Sequence, residues 1–331
     1  MKEKEIIIGI DVSKANLDVC LLVNQTSESY RIKNDIKSIR TFLNKVKKKN
    51  KDAEISICME NTGYYNWPSY NVIESMQLNL FVVNPLHLKK SMGLVRGKND
   101  TIDALRIAKF LMLNKSELKQ TLIPRKQLRV MQALVAQRNR LVESKKRFKV
   151  PTAELVFIAD KELSDKIKRS SQKIIKELEE QILKIENQID TLIQTDAELK
   201  QQFDFIVSVQ GVGKVLAWSI LIKTNEFKSI NNPRKLACYA GVVPFDFQSG
   251  SSIYKKPRVS LFADKSLKKL LHLAAMRSVQ LKGDLQTYYK RKVLEGKNKM
   301  LVLNAIRNKI VARICSVVNN RRNYIINLDL S

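Results

Sequence analysis

The stretch KEIIIGIDVSKANLDVCLLVN, residues 4–24, decides the reading of the amino-terminal third. Its first half, KEIIIGIDV, is a β-rich run that ends beside an acid, Asp11. A short turn follows, and LDVCLLVN forms a second apolar run. ESYRIKN (Glu28 to Asn34) is a weaker third strand. Beyond it, Ile36, Ile39, Phe42, Leu43 and Val46 recur at helical spacing up to Lys49.

EISICME is a fourth strand, ending at Glu60, and a helix is expected from Tyr64 to Met76. LNLFVVN reads as a buried strand stopped by Pro85. Asp100 to Leu113 reads as a helix that is apolar on more than one side, and therefore well buried. Three strands, a helix, then strand–helix–strand–helix is the order of an α/β RNase H-like domain.

The 331 residues carry 60 Lys+Arg against 32 Asp+Glu, a formal net charge of +28. With 44% hydrophobic residues, 10 Gly and 7 Pro, the chain is neither disordered nor collagen-like. Cys20, Cys58, Cys238 and Cys315 form no C-x-x-C pair, so neither a zinc site nor a disulfide framework is expected. Two histidines, His87 and His272, leave little material for a His-based site. Asp11 breaks the apolar run at the start, and VLAWSILI (Val215 to Ile222) is too short to span a membrane. A cytoplasmic, nucleoid-associated protein is expected, with no membrane partner.

The charge is unevenly placed. Lys255 to Arg322 holds 18 basic residues and three acids, and Arg125 to Lys149 holds nine against one. Nucleic acid is the expected counter-charge, because neutralising phosphates releases counterions.

The middle is read as helical and the chain as three parts: 1–125, 126–200 and 201–331. Leu128 to Val150 is basic and amphipathic, and Pro151 is expected to interrupt it or start a new segment. Leu178, Ile182, Ile185, Ile189 and Leu192 form a short heptad seam. A hairpin within the chain and a contact between copies both satisfy that seam. In the last third, Gln210-Gly-Val-Gly213 leads into an apolar helix from Lys214, like half of a helix-hairpin-helix element. Gly211, Gly213 and Lys214 are candidate phosphate contacts, since glycines let backbone amides approach and a helix N-terminus favours anions. A tight turn needing glycine for its backbone angles fits the same residues.

Four acids carry the candidate chemistry. Asp11 and Glu60 end strands that an open sheet can bring side by side. Asp100 and Asp103 are three apart at a helix start and share a face. Four carboxylates at one point repel one another unless cations neutralise them, and oxygen-only donors suit Mg²⁺. Two such ions about 3.5–4 Å apart can clamp a phosphodiester. Taken singly, each acid also has a structural reading, as a helix-start residue or a solvated strand end.

GIDVSK, MENTGYY, VNPLHLKKSMGLVRGKNDTIDA, SVQGVG, LACYAGVVPFDFQSGSS and LKKLLHLAAMRS occur in this order along the chain. The combination resembles the DEDD transposases of bacterial insertion sequences, the group that includes the Piv and MooV invertases. The resemblance covers roughly residues 5 to 318. It implies a RuvC-like amino-terminal domain with Asp11, Glu60, Asp100 and Asp103 as a Mg²⁺-binding tetrad. It also implies a helical coiled-coil middle and a mainly α carboxy-terminal transposase domain with Ser249 as nucleophile. The partners it implies are target and donor DNA, an element-encoded bridge RNA that chooses sequence by base pairing, and further copies of the chain in a dimer or tetramer.

The residues themselves support Ser249 only in part. A serine hydroxyl needs a base or metal to take its proton, and Ser251, Ser252 and Tyr254 are competing hydroxyls. Lys255, Lys256 and Arg258 are candidate phosphate contacts. The expectation is a metal-assisted DNA transposase or recombinase. The rivals are a hydrolytic RuvC-like junction resolvase using the four acids alone, and a non-enzymatic nucleic-acid binder.

Overall fold

The computed structural model describes residues 5–23, 26–51, 53–91, 100–157, 160–249, 253–260 and 262–325. The chain divides into two compact units, one ending at Ile123 and the other beginning at Pro124.

The first unit is built on five strands: β1 (Glu5–Val12), β2 (Asn16–Val23), β3 (Thr26–Lys33), β4 (Glu54–Glu60) and β5 (Asn79–Val83). Their order is β3-β2-β1-β4-β5. β2 runs antiparallel to both β1 and β3, while β1, β4 and β5 are parallel. Helix α1 (Ile36–Lys49) joins β3 to β4, and α2 (Trp67–Met76) joins β4 to β5. α3 (Pro85–Ser91) and α4 (Asp100–Asn114) follow. This is the RNase H-like arrangement that the strand and helix order implied.

β1 is apolar at nearly every position because both its faces are covered. Ile6, Ile8, Ile10 and Val12 pack with Ile39, Phe42 and Leu43 of α1 and Val72 and Ile73 of α2. Ile7 packs on the opposite face, with Ala104, Ile107, Ala108 and Leu111 of α4. α1 starts where Asp35 accepts the Ser38 amide at 2.8 Å, and ends in Lys47, Lys48 and Lys49, whose charge suits the negative end of the helix. The region expected to be helical from Tyr64 begins as a 3₁₀ turn over Gly63–Asn66 and becomes α-helical at Trp67.

The second unit is mainly helical. α5 (Lys126–Glu154) and α6 (Lys161–Gln194) pack as a hairpin. Arg138 meets Glu186 at 2.6 Å and Lys145 meets Glu179 at 3.4 Å, so the two helices are antiparallel. Within this chain α5 lies along the heptad seam: Leu128, Met131 and Val135 share a core with Ile189, and Ile185 and Leu192 pack against it. α5 runs through Pro151, where a break was expected. It gives way to a 3₁₀ turn at Leu155, about one turn later. A proline removes one hydrogen bond, which a long helix held along its length by a partner tolerates near its end.

α7 (Ala197–Ser208), α8 (Lys214–Thr224) and α9 (Pro233–Tyr239) follow. A two-stranded antiparallel hairpin, β6 (Phe245–Ser249) and β7 (Ile253–Arg258), comes next, then α10 (Lys265–Gln280), α11 (Asp284–Leu294) and α12 (Lys299–Asn319). α8 is central: Leu216, Ala217, Trp218, Ile220 and Leu221 are all buried in one core with α5, α6, α7, α10 and α12.

α8 ends in three successive left-handed residues, Asn225, Glu226 and Phe227, at φ 51°, 55° and 61°. Such conformations cost about 1–3 kcal/mol each outside glycine. Arg125 holds the middle one in place. Its Nε donates to the two Glu226 carboxylate oxygens at 3.0 and 2.7 Å, and its Nη2 donates to Asp196 at 3.0 Å. Among the described residues no helix is long and apolar enough to cross a membrane.

Candidate active site and nucleic-acid interface

The strand register brings Asp11 and Glu60 together. β1 and β4 pair in parallel up to Ile10 opposite Met59, and the next residue on each strand is Asp11 and Glu60. Side chains alternate along a strand, so Asp11 shares the face of Ile7 and Gly9, and Glu60 shares the face of Cys58. That is the face covered by α4.

α4 lies unusually close at this point. A methyl group added at Gly9 would clash with the Ala104 carbonyl and the Ala108 amide, and would sit 2.8 Å from the Ala108 Cβ. Glycine is what lets a helix backbone rest directly on β1. Asp103 is one residue before the contact on α4, and Asp11 is two residues beyond it on β1. The carboxylate of Asp103 accepts from Arg106 at 2.7 Å. Asp100 begins α4, and its side chain lies outside the described residues, as do residues 92–99 before it.

Two positioning residues were not singled out in the sequence. Asn34, just after β3, donates from its amide nitrogen to the Ser13 carbonyl at 2.9 Å and to the Tyr65 carbonyl at 3.0 Å. It thereby joins the loop that follows Asp11 to the turn that follows Glu60. Asn66 is fully buried and donates to the Glu60 carbonyl at 2.8 Å. An asparagine between strands reads as a turn residue, and nothing local reveals such long-range partners. Tyr64 and Tyr65 are exposed beside Glu60, and Tyr64 meets Trp67 edge-on at 5.2 Å.

The donor set on this face suits a hard cation. Cys20 and Cys58 share it, but burial pushes the Cys58 thiol up to about 12 and also raises that of Cys20. Thiolate is therefore scarce, and the oxygens of Asp11 and Glu60 are the donors on this face whose chemistry suits a metal. Oxygen-only ligands fit Mg²⁺. Among the described residues no three acid, His or Cys side chains converge as a ready metal cage, and Asp103 is engaged by Arg106.

In the second unit Ser249 is the last residue of β6, opposite Ile253 of β7. Residues 250–252 lie outside the described residues, as do the side chains of Ser249, Lys255, Lys256 and Arg258. The three basic residues are on β7.

The two glycines of the Gln210–Gly213 turn differ. Gly211 has φ +84°, and a Cβ there would strike the Ser278 hydroxyl and lie 2.7 Å from the Ala274 carbonyl on α10. Gln210 donates to the Lys282 carbonyl at 2.6 Å, and Ser278 donates to the Gln210 carbonyl at 2.9 Å. Gly211 is thus required by the fold itself. Gly213 has nothing within 4 Å of its would-be Cβ and caps α8 without a side-chain bond. The helix end is open there, and Lys214 beside it pairs with Asp190 at 2.6 Å.

Comparison with known families decides the class. Residues 8–155 match a transposase family model, DEDD_Tnp_IS110, and residues 204–290 match the model described as Transposase IS116/IS110/IS902 family. The chain belongs to the IS116/IS110/IS902 transposase family. The pilin gene-inverting protein of Moraxella bovis is 25% identical over 321 residues, covering 95% of this transposase and 96% of that relative. The protein of the same name from Moraxella lacunata has the same identity and coverage. T. thermophilus RuvC, solved in complex with a Holliday junction substrate, matches 35% of the transposase and 99% of its own chain, at 11% identity and a TM-score of 0.30. The RNase H-like assignment rests on the strand order and directions of the sheet itself. Family membership makes DNA recombination the function class of this transposase.

Proposed function

We propose that this transposase cleaves and exchanges DNA strands through the Ser249 hydroxyl, with Asp11, Glu60, Asp100 and Asp103 holding Mg²⁺. The observation that carries the reading is the register that sets Asp11 beside Glu60 on the face beneath α4. Release of Asp103 from Arg106 would add its carboxylate to theirs.

The Ser249 oxygen forms a bond to phosphorus, one phosphorus–oxygen bond of the DNA backbone breaks, and the departing sugar oxygen takes a proton. The product is a serine–phosphodiester link, which a second sugar hydroxyl reverses to complete exchange. Bound Mg²⁺ supplies charge neutralisation at the phosphate and lowers the cost of removing the serine proton. Arg106 is placed to pair with Asp103 when no cation does. Gly213, Lys214, Lys255, Lys256 and Arg258 hold backbone phosphates, and Gly211 shapes the turn that carries Gly213. The excess of basic residues from Lys255 to Arg322 supports a large nucleic-acid partner. That partner includes an element-encoded bridge RNA as well as DNA, and the working form is an oligomer.

The test is adduct formation on element-end DNA with Mg²⁺. Ser249→Ala and Asp11→Asn are each expected to abolish covalent protein–DNA adducts. Adducts that persist in Ser249→Ala move the nucleophile elsewhere. Cleavage without adducts, unchanged by Ser249→Ala, makes the protein a hydrolytic nuclease. Sequencing the RNA that copurifies tests the guide: one defined species from DNA flanking the gene is expected, and random fragments overturn that part.

A further inference from the structure

Arg307 of α12 is a buried cation, only 6% exposed, and among the described residues it has no acidic partner. Its Nη1 donates to the Asn304 Oδ1 at 3.3 Å and its Nη2 to the His272 Nδ1 at 3.0 Å, both neutral acceptors. Its Nε is buried and has no hydrogen-bond partner. Burial pulls its pKa below the ordinary arginine value, and no carboxylate acts in the other direction. Arginine stays charged all the same. Burial and the guanidinium beside it also lower the His272 pKa, which keeps that ring a neutral acceptor.

The acids of this region are engaged elsewhere. Between Lys255 and Arg322 they are Asp264, Asp284 and Glu295. Asp264 pairs with Lys223 at 2.9 Å, Asp284 with Arg313 at 3.3 Å and Glu295 with Lys292 at 2.7 Å. An ionised group removed from water destabilises the fold unless an opposite charge compensates it. Two neutral dipoles do not supply that charge.

The place in the fold indicates what does. Asn304 donates to the Val242 carbonyl at 2.8 Å, so Arg307 is tied to the segment that enters β6. Lys268 of α10 stands one turn before His272, and its Cδ lies 3.8 Å from where a Gly241 Cβ would be. Lys268 likewise has no acidic partner among the described residues. Two unneutralised cations, from α10 and α12, therefore flank residues 241–242 at the root of the β6–β7 hairpin, and Ser249 ends β6 at the other end. The Nε and one Nη of an arginine make a fork that fits two oxygens of a phosphate. Nη2 gives one hydrogen to His272 and keeps a second.

We infer that Arg307, oriented by His272 and Asn304 and assisted by Lys268, binds a backbone phosphate of DNA at the root of the β6–β7 hairpin. This rests on the proposed DNA-handling role of that hairpin. The length of β6, about 13 Å, separates the root from Ser249. The phosphate held is therefore not the one that Ser249 attacks, and Arg307 is a positioning residue that grips the strand.

A buried charge that waits for its ligand gives opposite effects on stability and on binding. Binding of an element-end DNA duplex to the full-length chain is measured across a salt series, beside thermal unfolding without nucleic acid. Arg307→Met, uncharged and similar in length, is expected to unfold at the wild-type temperature or above it, because a buried charge is gone. The same variant should bind the duplex roughly tenfold less tightly at low salt, with the slope of log affinity against log salt smaller by about one. Arg307→Lys keeps the charge and should keep the wild-type slope. In the adduct assay, Arg307→Met should need more DNA for half-maximal rate while its rate at saturation stays within about threefold of the wild type. The inference is overturned if Arg307→Met unfolds at a lower temperature without DNA, since the guanidinium then has its counter-charge within the protein. Wild-type affinity and slope in Arg307→Met overturn it too. So does a slope that falls equally in Arg307→Lys, which traces the loss to disturbed packing. Ser249→Ala separates the two levels, as it should lose adducts yet bind DNA as the wild type does. Adducts lost there while Arg307→Met binds normally sink this inference alone; a wild type without salt-dependent binding sinks both.

Discussion

Gly9 of β1 lies so close to α4 that a side-chain methyl there would stand 2.8 Å from the Ala108 Cβ. The helix cannot keep its seat on the sheet with any larger residue at this position. Gly9→Ala is expected to destabilise the first unit by about 1–3 kcal/mol, the usual cost of overpacking a well-filled core. It should also lift the α4 start, and with it Asp103, away from Asp11. Thermal unfolding and Mn²⁺ titration check this, and both are expected to fall. A variant as stable as the wild type would show that α4 is not seated as described.

Asn34 acts on the same site from the other end. Its two bonds, to Ser13 and Tyr65, connect the segments that follow the two strand-end acids. Each such bond is worth about 0.5–1.5 kcal/mol net. Asn34→Ala should therefore cost roughly 1–2 kcal/mol and weaken Mn²⁺ binding several-fold, since Asp11 and Glu60 lose their common anchor. Asn34→Asp, which keeps the shape but donates to neither carbonyl, should be no better. Chemical denaturation beside calorimetry separates the two effects.

How much of this was legible depends on range. β1 and β2 are apolar runs bounded by turns, and the helical spacing that runs from Ile36 to Lys49 becomes α1 over the same residues. Local periodicity fixes such elements. The acids Asp11 and Glu60 were legible because strand ends in an open parallel sheet converge whatever the details. Gly9 and Asn34 were passed over because their importance lies in close approach and hydrogen bonding between distant segments. The heptad seam of α6 was visible, but whether α5 or another copy filled it was not, because both satisfy the same spacing.

The two turn glycines should separate under substitution. Gly211→Ala introduces a side chain at φ +84° and against α10, so a loss of about 2–3 kcal/mol is expected with or without nucleic acid present. Gly213→Ala meets nothing within 4 Å and should cost no more than about 1 kcal/mol, the difference between a glycine and an alanine helix cap. If the α8 end holds a phosphate, Gly213→Ala will weaken DNA binding while stability changes little. Equal DNA affinity in that variant would leave the turn purely architectural.

Asp264 makes the second unit sensitive to acid. It caps α10 through the Leu267 amide at 2.9 Å and meets Lys223 at 2.9 Å. Burial alone would raise its pKa, but the Lys223 ammonium, the Ser266 hydroxyl and the Leu267 amide outweigh burial and bring it down to about 2. A carboxylate depressed in the folded state stabilises the protein above its unfolded pKa of about 3.9. That contribution is lost as pH falls through the folded value. With allowance for solvent screening it is about 1–2 kcal/mol, fully present at pH 5 and fading between about pH 4 and 2. Asp264→Asn keeps a good helix cap but gives up the charge. The variant should be less stable than the wild type by that amount at neutral pH, and the gap should close by about pH 2. Denaturation midpoints measured for both proteins across this range decide it, and a gap independent of pH would assign the cost to packing instead of charge.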